Sequence, residues 1–567
     1  MLDKFQIATA LREIAMLLPL KGENPFKARA YDRGADAVEA LVDDMGELVD
    51  EQRLTGVENI GEALAAKIAE LYLTGRCAYL ERLRDELPPG IIELSQVPHL
   101  GVKKIQALRE ALGIASVAQL KEACLAGRVR EVKGFGAKTE LKIQDGIRLY
   151  EERQVRVLLV DALEIGERLL QHLRASPAVA QAELAGSVRR RQETAGNLDV
   201  VVALSDAATA TATAVFDQLE RFPLVMRVES RDAAECKARL ASGLPVDLRV
   251  VTRDRFAAAL HRYTGSPAHT ARLVELAAVR KQSLPDSVAS EEDLYAELGL
   301  PYIPPELRED AGEIEAGLAG ERWQDLVTLA DVRGMVHCHT VYSDGQNTIE
   351  EMARAADELG MEYLTITDHS PAAHYAQGVT FDRLERQWDE IARVQEGVKV
   401  KLLRGTESDI LETGALDYPD DVLERFDVII ASIHSRFKMD EAQMTRRLVT
   451  AMRNPVFKVW GHALGRLVLR RDPIACRVEE VLDAVAESRA AIEVNGDPHR
   501  LDLAPRWIRE ARKRGIRFVI STDAHSVRGM SYLPFGVWMA RRGGLRRGEV
   551  LNTLPAAAFL EAVRPVG

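Results

Sequence analysis

The feature that most constrains the fold of this chain is a series of apolar segments after residue 331 that each end in a histidine or an acid. The first segment runs through Val336 into His337 and His339. Side chains alternate between the two faces of a strand, so these two imidazoles lie on the same face. The other segments end at candidate ligands of the same kind: Asp368 with His369, Glu407, His434, His462, and Asp523 with His525. The pattern predicts strand ends that bring metal ligands to one place.

Segments with apolar residues at helical spacing separate these predicted strands: 348–360, 381–397, 441–453, 477–489 and 505–514. Thr348 and Glu351 have the spacing of a capping box at the start of the first one. Residues 491–494 form one more predicted strand. Alternating strands and helices predict a parallel α/β barrel, in which functional groups collect at the carboxyl ends of the strands.

Histidine is rare in this chain, and eight of its 12 histidines follow residue 331. A single histidine would more often be an ordinary polar residue, but six at strand ends together with three acids predict a metal centre. His374 and His499 are interpreted as surface residues or as residues behind the ligands. The predicted ligands are His337, His339, Asp344, His369, Glu407, His434, His462, Asp523 and His525.

The motifs HxHTxYSDG, DHS, GTE, IHS, GH and TDAH resemble a PHP phosphoesterase domain across residues 331–567. The resemblance implies a distorted (β/α)7 barrel that holds up to three Zn²⁺ or Mn²⁺ ions and hydrolyses phosphate esters. Metal ions lower the pKa of a bound water and neutralise charge on a phosphodiester. By this resemblance Glu407 bridges two ions that His337, His339, His434 and Asp523 complete. Asp344, His369, His462 and His525 surround the third ion or share in it.

Composition places the chain among multidomain globular proteins, since it has 567 residues, 47% of them hydrophobic and 29% charged. Its five cysteines are scattered and form no CxxC pair, which favours a reducing compartment. Cys338 lies between two ligands on the opposite strand face and is interpreted as a packing residue. The sequence shows no signal peptide pattern and no apolar run of membrane-spanning length, so we expect a cytoplasmic, nucleoid-associated protein without a membrane partner.

The net charge of −12 argues against nucleic acid as a partner, but the charge is unevenly distributed. Residues 95–148 contain ten Lys and Arg against five acids. A basic segment of this kind predicts a surface that binds the DNA backbone.

A motif with an apolar residue, a glycine turn and a following helix occurs three times between residues 55 and 143. The copies resemble helix-hairpin-helix elements, whose turns bring backbone amides close to a DNA phosphate. The alternative is a set of short helical packing units. Asn59 and His99 replace the first glycine in two copies, which puts close phosphate approach there in doubt. The residues expected to contact DNA are Gly61, Gly101, Gly134, Gly136 and Lys138.

After Tyr150 the pattern changes to strands and helices. A Gly-Ser turn at Ser187 is followed by arginines, a combination that suits a triphosphate. Asp199 and Asp247 each lie within an apolar strand-like segment, where a carboxylate needs a partner, commonly a metal ion.

The motifs GSxRR at 186–190, GxxD at 196–199, VDLRVV at 246–251, YTGS at 263–266 and IPPELRE at 303–309 resemble a bacterial family X DNA polymerase. With the hairpins and the PHP motifs, this resemblance spans nearly the whole chain. It implies a gap-filling repair polymerase joined to a 3′-5′ exonuclease, acting on gapped or nicked DNA and 3′ ends with dNTP as the nucleotide. Ser187 and Arg190 would hold the triphosphate, Asp199 and Asp247 would bind Mn²⁺ or Mg²⁺, and Gly265 and Ser266 would lie under the incoming nucleotide.

The implied architecture is an α/β multidomain chain with a polymerase β-like core and a PHP barrel, and we expect a monomer. Its predicted divisions are a DNA-end-binding helical domain (1–88), fingers (89–150), a nucleotidyltransferase palm (151–253), a thumb (254–315), a linker (316–330) and the PHP domain (331–567).

One departure from the family pattern concerns the polymerase chemistry. The family has two acids in its first motif, GDxD, whereas this chain has Asn197 before Asp199. An amide offers a ligand oxygen without charge, so we expect weakened nucleotidyl transfer, with Mn²⁺ favoured, or none. Arg262, next to Tyr263, is a second departure, at a position where the family often has an aromatic residue.

Three other functions remain open at this point. The chain could be a PHP nuclease whose polymerase core only binds DNA, a reading that Asn197 motivates. It could be a PHP phosphatase for a small metabolite, which the hairpins and the GSxRR motif disfavour. A purely structural DNA-binding protein is disfavoured by the complete ligand set.

Overall fold

The computed structural model describes residues 4–21, 23, 25–39, 45–50, 52–57, 59–86, 89–95, 97, 100–153 and 156–565. Two compact units divide the chain, Met1–Gln154 and Val155–Gly567. Within the described ranges, every helix is too short or too polar to cross a membrane.

The first unit is helical throughout its described part. Its buried side chains form two clusters, one from Ile7 to Leu83 and one from Ile91 to Ile147. The helices are α1 (Lys4–Leu20), α2 (Pro25–Glu39), α3 (Met45–Asp50), α4 (Glu62–Thr74), α5 (Ala78–Glu86), α6 (Pro89–Ser95), α7 (Val102–Leu112), α8 (Val117–Leu125) and α9 (Ala137–Arg153).

The second unit begins with a five-stranded sheet of strand order β2-β4-β7-β6-β5. Strands β4 and β7 pair in parallel and place Asp199 opposite Asp247. The elements are β1 (Val157–Leu158), α10 (Leu159–Arg174), β2 (Val179–Leu184), α11 (Gly186–Arg189), β3 (Thr194–Ala195), β4 (Leu198–Leu204), α12 (Ala212–Glu220), β5 (Val225–Arg231), β6 (Glu235–Leu240) and β7 (Pro245–Val251).

Four helices follow this sheet: α13 (Phe256–Thr264), α14 (Pro267–Val279), α15 (Glu291–Glu297) and α16 (Glu313–Leu318). A buried polar network connects them, because His269 Nδ1 lies 2.5 Å from Glu313 Oε1 and its Nε2 lies 3.0 Å from the Tyr295 hydroxyl. Arg308 is fully buried and donates to Glu291 at 2.5 Å. This helical segment therefore has a core of its own beside the sheet.

The last region is a nearly closed barrel of seven parallel strands in sequential order, as predicted. The strands are β8 (Gly334–Met335), β9 (Tyr363–Ile366), β10 (Lys401–Asp409), β11 (Val428–Ser432), β12 (Val459–Trp460), β13 (Ala491–Asn495) and β14 (Phe518–Ser521). Its helices are α17 (Ile349–Glu358), α18 (Phe381–Gln395), α19 (Asp420–Leu423), α20 (Glu441–Arg453), α21 (Val478–Glu487), α22 (Pro505–Lys513), α23 (Val527–Met530), α24 (Leu533–Arg542) and α25 (Ala556–Val563).

The first and last strands of the barrel meet through the residues that follow them. Cys338 and Ala524 form an isolated parallel bridge, in which His339 N donates to the Ala524 carbonyl at 2.8 Å and Ala524 N donates to the His337 carbonyl at 3.1 Å. Cys338 is fully buried in the core, as predicted.

The predicted capping box of Thr348 and Glu351 is present at α17. Phe559 of α25 stacks on Tyr363 at 4.6 Å within a second cluster of buried side chains.

The segment after α11 contacts the barrel. Glu193 lies 2.7 Å from Arg542 and 3.2 Å from Arg466. The guanidinium of Arg191 lies 4.2 Å from the centre of the Trp538 ring, so Arg191 packs on the barrel. Short 3-10 helices complete the elements: Leu54–Gly56, Val129–Glu131, Arg253–Arg255, Pro305–Leu307, Leu329–Asp331, His374–Ala376, Arg547–Glu549 and Leu551–Thr553.

Candidate metal centre and candidate polymerase site

The carboxyl ends of the barrel strands bring all nine predicted ligands together. Three groups form, in each of which the ligand atoms lie within 4.8 Å of one another. The groups are His337, His339, Glu407 and Asp523; His369, Glu407 and His434; and His339, Asp344, His369 and His525. His462, the ninth, places its Nε2 2.9 Å from Glu407 Oε1.

Glu407 is the common member of two groups and is fully buried. Its Oε2 lies 3.4 Å from His337 Nε2 and 3.0 Å from His369 Nδ1. Its Oε1 lies 3.3 Å from His434 Nε2. A carboxylate that faces imidazoles with both oxygens has the geometry of a bridge between two metal ions.

Many of these ligand atoms are buried without a hydrogen-bond partner among the described residues. They include both oxygens of Glu407, both ring nitrogens of His339, His337 Nε2 and Asp523 Oδ1. A buried polar atom without a partner is costly, so their convergence on a common centre indicates groups that a cation satisfies. Imidazole nitrogens with carboxylate oxygens suit Zn²⁺ or Mn²⁺, and the donor set fits such ions.

The electrostatics of the centre keep Glu407 ionised but divide its histidines, because nearby carboxylates outweigh burial and raise the pKa of His337, His369, His434 and His525. Burial alone would raise the pKa of Glu407, but the neighbouring imidazoles, His434 first, hold that pKa well below its usual value. Burial, with His525 and His369 nearby, lowers the pKa of His339 to about 3. An ionised carboxylate and a neutral imidazole are the forms that bind metal.

Two of the histidines expected to surround the third ion or to share in it also lie beside Glu407. The Nε2 of His462 lies 2.9 Å from Glu407 Oε1 and 4.0 Å from Asp523 Oδ2. The ring of His369 faces Glu407 and Asp344 with different nitrogens, at 3.0 and 3.4 Å. The reason is that β9 and β10 are adjacent, which places His369 directly beside Glu407.

Two acids behind the ligands were missed by the sequence reasoning. Glu493 Oε1 lies 2.6 Å from His337 Nδ1, and Asp409 Oδ1 lies 3.3 Å from His434 Nδ1. Such partners fix the orientation and tautomer of a metal-binding imidazole. Glu493 interrupts the apolar strand 491–494, which is the same signal that drew attention to Asp199.

Other residues surround the centre. Asp368, next to His369, accepts hydrogen bonds from Thr340, Ser343 and Gln387 and orders the loop after β8. Arg500 Nε lies 3.3 Å from Asp523 Oδ2. Of the two histidines that were set aside, His374 is exposed and His499 lies 3.1 Å from Asp497.

The predicted polymerase carboxylates are adjacent but already have partners. Asn197 Nδ2 donates to Asp247 Oδ2 at 2.7 Å, and Arg249 Nη1 lies 3.2 Å from Asp199 Oδ1. Lys237 Nζ lies 4.0 Å from Asp247 Oδ1. Among the described residues, groups of three potential ligands occur only in the barrel. Arg249, two residues after Asp247 on the same strand face, was not singled out from the sequence.

The turn at Gly186, where α11 begins, packs against Asp199 and requires glycine. Gly186 has a φ of 55°, and a Cβ there would collide with the Asp199 carboxylate. Ser187, the next residue, is half-buried in α11. The turn therefore holds the nucleotide-binding motif directly against one predicted metal ligand.

The other predicted nucleotide contacts have partners in the helices after the sheet. Arg190 Nε lies 2.6 Å from Glu309 Oε1 and Arg190 Nη1 donates to the Thr264 carbonyl at 2.7 Å. Gly265 follows α13, and Ser266 caps α14 by accepting from His269 N at 3.0 Å. A triphosphate bound at Arg190 would have to share this arginine with Glu309 or displace the Glu309 carboxylate.

The helical unit places its hairpin glycines at exposed helix starts. Gly61 and Gly101 precede α4 and α7 without a side-chain cap. Gly134 has a φ of 90° and Asn59, at the matching position, has a φ of 67°. Asn59 thus adopts the left-handed geometry that favours glycine. Gly136 and Lys138 are exposed at the start of α9, and His99 lies outside the described residues.

Family models match four parts of the chain. They are a PHP domain over residues 336–497, a helix-hairpin-helix domain over 3–77, a SAM-like helix-hairpin-helix tandem over 91–149 and a DNA polymerase beta thumb over 259–309.

Whole proteins of similar sequence fall into two kinds. The "DNA polymerase/3'-5' exonuclease PolX" of Bacillus subtilis (strain 168) is 34% identical over 566 residues, which covers 97% of each chain. A probable phosphatase of Caldanaerobacter subterraneus subsp. tengcongensis is 28% identical over 33% of this chain and 74% of its own length. A probable phosphatase of Thermoanaerobacter sp. (strain X514) is 29% identical over 38% of this chain and 89% of its own length.

Proposed function

This chain belongs to the family of the DNA polymerase/3′-5′ exonuclease PolX proteins, and on that premise we propose that it fills gaps in DNA from its palm and trims 3′ ends from its PHP barrel. The observation that carries the proposal is the combination of a polymerase core with a barrel centre in which all nine ligands converge. The two probable phosphatases match only 33% and 38% of this chain, so a phosphatase alone does not account for the rest of it.

The barrel centre would hydrolyse the terminal phosphodiester. We assign His337, His339, Glu407 and Asp523 to one ion, His369, Glu407 and His434 to a second, and Asp344 with His525 to a third. His339 and His369 also face the third position, but a neutral imidazole has one free ring nitrogen, so each would bind a single ion. Bound Zn²⁺ or Mn²⁺ supplies a water of lowered pKa and neutralises charge on the phosphate. The protein holds the imidazoles in one tautomer through Glu493 and Asp409.

The palm would transfer a nucleotide with Asp199 and Asp247 as the charged ligands of Mg²⁺ or Mn²⁺. To bind an ion, Asn197 would turn its amide oxygen rather than its NH₂ group towards the site. Arg249 and Lys237 reduce the negative charge there, which together with Asn197 makes the palm a weaker cation site than the barrel.

DNA is proposed to bind through the helical unit. The exposed helix starts at Gly61, Gly101 and Gly136 offer free backbone N–H groups to phosphates, and Lys138 adds a positive charge. Gapped or nicked DNA with a 3′ end, as a repair enzyme in the cytoplasm meets at the nucleoid, is the proposed substrate.

Primer extension on a gapped duplex tests the polymerase half. The protein should carry His339→Ala so that trimming cannot hide synthesis, and reactions should contain Mg²⁺ or Mn²⁺. Extension that disappears on adding Asp199→Ala would support gap filling. Trimming of a single-stranded 3′ end by the unmodified protein, lost with His339→Ala, tests the nuclease half.

A second candidate function is favoured by the palm geometry. If Asn197, Arg249 and Lys237 prevent metal binding, the polymerase core would only hold DNA for the nuclease. Absence of extension with either metal, together with normal trimming, would favour this function over gap filling. A protein that neither extends nor trims would contradict both.

A further inference from the structure

A cavity of about 600 Å³ opens between the segment 306–323 and the barrel. Its lining includes the start of α22 and Arg542 at the end of α24. None of the nine barrel ligands, and neither Asp199 nor Asp247, lines it. The cavity is therefore separate from the predicted metal ligands of both candidate active sites, although Glu309, the partner of Arg190, lines it. Its volume is in the range of small-molecule sites.

The amino end of α22 faces this cavity. Pro505 is the first helical residue and Ala504 the N-cap, and neither provides a side-chain cap. The first turn contains no acid. A helix start carries unpaired backbone N–H groups and partial positive charge, which here no residue of the helix compensates.

The charges on the cavity wall are unevenly paired. Each of its carboxylates accepts from a donor of the protein: Glu193 from Arg542, Glu306 from Arg541, Glu309 from Arg190, Glu313 from the backbone N–H groups of Asp310 and Ala311, and Glu321 from Arg546. Arg512 pairs with Glu549. In the part of the chain that the structure describes, Arg506 and Arg509 have no carboxylate within 4.0 Å, although Glu313, Glu309 and Glu510 are near enough to Arg509 to act on its pKa.

A buried guanidinium in the lining lacks one partner. Arg542 is only 7% exposed, and its Nε has no hydrogen-bond partner among the described residues, although its other nitrogens donate to Glu193 and Gln192. Arg509 donates from Nη1 to the backbone carbonyl of Arg542 at 3.2 Å. Burial and the charge of Arg542 lower the pKa of Arg509. An anion between these groups would relieve both the repulsion and the missing hydrogen bond.

The segment 306–323 adds an aromatic ring and apolar side chains to its paired carboxylates. Trp323 lies there with part of its indole exposed, beside Leu307 and Ala316. An aromatic face next to an anion site is the arrangement that binds a nucleotide, because a base stacks on the ring while cations hold the phosphate.

We propose that this cavity is a second nucleotide site, which binds a mononucleotide with its phosphate at the start of α22, on Arg506 and Arg509, and its base against Trp323. The site requires neither the metal centre nor the palm carboxylates. Its ligand class is a nucleoside 5′-monophosphate, and dAMP is a suitable probe.

Isothermal titration of the full chain with dAMP tests the site. Arg509→Gln is the test variant, and Arg512→Gln, on the same helix, is its matched control. Arg512 lines the same cavity but is already paired with Glu549. Losing charge-assisted hydrogen bonds should weaken binding at this site about tenfold or more in Arg509→Gln. Arg512→Gln should bind dAMP as the unmodified protein does. Unchanged binding in Arg509→Gln, or no dAMP binding to the unmodified protein, would overturn the proposal.

Three further titrations test the two halves of the ligand. Trp323→Ala should weaken binding of dAMP and leave binding of inorganic phosphate unchanged. Phosphate that binds as tightly as dAMP would contradict a nucleotide site, and deoxyadenosine that binds as tightly would contradict the phosphate contacts. If Arg509→Gln does not fold, the exposed Arg506→Gln should show the same loss, and normal binding by it would overturn the proposal. Extension and trimming should be unchanged in all these variants, since none touches either candidate active site.

Discussion

The barrel centre and the palm site both contain carboxylates brought together by neighbouring parallel strands, yet they differ in how those carboxylates are satisfied. In the barrel, Glu407 and the surrounding imidazoles are buried and many of their atoms lack a hydrogen-bond partner among the described residues. In the palm, Asp247 accepts from Asn197 and Asp199 pairs with Arg249. The difference teaches that readiness for a cation depends on unsatisfied donor atoms, and not on the number of acids alone.

The largest effect should come from removing a barrel ligand. His369→Ala deletes an imidazole that faces both Glu407 and Asp344. Trimming should fall by on the order of a hundredfold or more, because mutating even the residues that hold metal ligands in place lowers activity about ten- to hundredfold. Bound metal should fall as well, measured by elemental analysis. His374→Ala, on the same loop but exposed, is the matched control and should trim normally. If His369→Ala trims DNA as fast as His374→Ala, the contrast drawn between the barrel centre and the palm site is wrong.

In the palm, by contrast, a single substitution should raise activity instead of lowering it. Asn197→Asp adds a carboxylate beside Asp247, which should raise primer extension in Mg²⁺ about tenfold or more, since carboxylates hold the ions of nucleotidyl transfer. Mg²⁺ should also raise the Tm of this variant more than that of the unmodified protein. Asn197→Ala, which removes the amide without adding charge, should not extend faster. An Asn197→Asp protein that extends no faster would mean that Arg249 and Lys237 limit the site.

A smaller effect is expected one step behind the barrel ligands. Glu493→Gln keeps an acceptor for His337 but removes its charge, so trimming should fall about tenfold, at the low end for such partners. Trimming rates over a series of Mn²⁺ concentrations would measure the change, and excess metal should restore part of it. Glu487→Gln, an exposed acid at the end of α21, is the control. Full activity of Glu493→Gln at every metal concentration would contradict its orienting role.

The smallest predicted effect on activity belongs to the contact between palm and barrel, where a substitution should change stability instead. Burial would raise the pKa of Glu193, but Arg542 and Arg466 lower it from 4.5 to about 2. A carboxylate with a depressed folded pKa stabilises the protein above the unfolded pKa and loses this effect as the pH falls towards 2. Glu193→Gln should therefore reduce the free energy of unfolding by about 2 kcal/mol at pH 7, allowing for its partial exposure.

Thermal unfolding at several pH values checks this prediction. The difference in Tm between Glu193→Gln and the unmodified protein should shrink as the pH is lowered from 7 to 3. Glu229→Gln is the control, because Arg239 and Arg227 lower the pKa of Glu229 to about 2 in an exposed position, where solvent screens the pair. A difference at Glu193 that does not depend on pH would point to packing rather than charge.

The barrel was predictable because histidine, which is otherwise rare in the chain, follows five of its seven strands. The β5–β6 hairpin carried no such signal, since β5 has mostly exposed residues and its polar sequence resembles a loop. The grouping of the ligands depended on which strands are adjacent, as His369 beside Glu407 shows. Contacts such as Arg190 with Glu309 join residues far apart in the chain, and no local pattern predicts them.

The bridge between Cys338 and Ala524 sets an order of events during synthesis. The ribosome makes the hairpins, the palm and the thumb first, and domains generally fold in that direction as they emerge. The barrel cannot close, and Asp523 and His525 cannot join the ligands that follow β8 to β12, until β14 and the loop after it have left the ribosome. A nascent chain therefore completes its DNA-holding parts before it can cut DNA, and hydrolytic activity is the last property that the growing protein acquires.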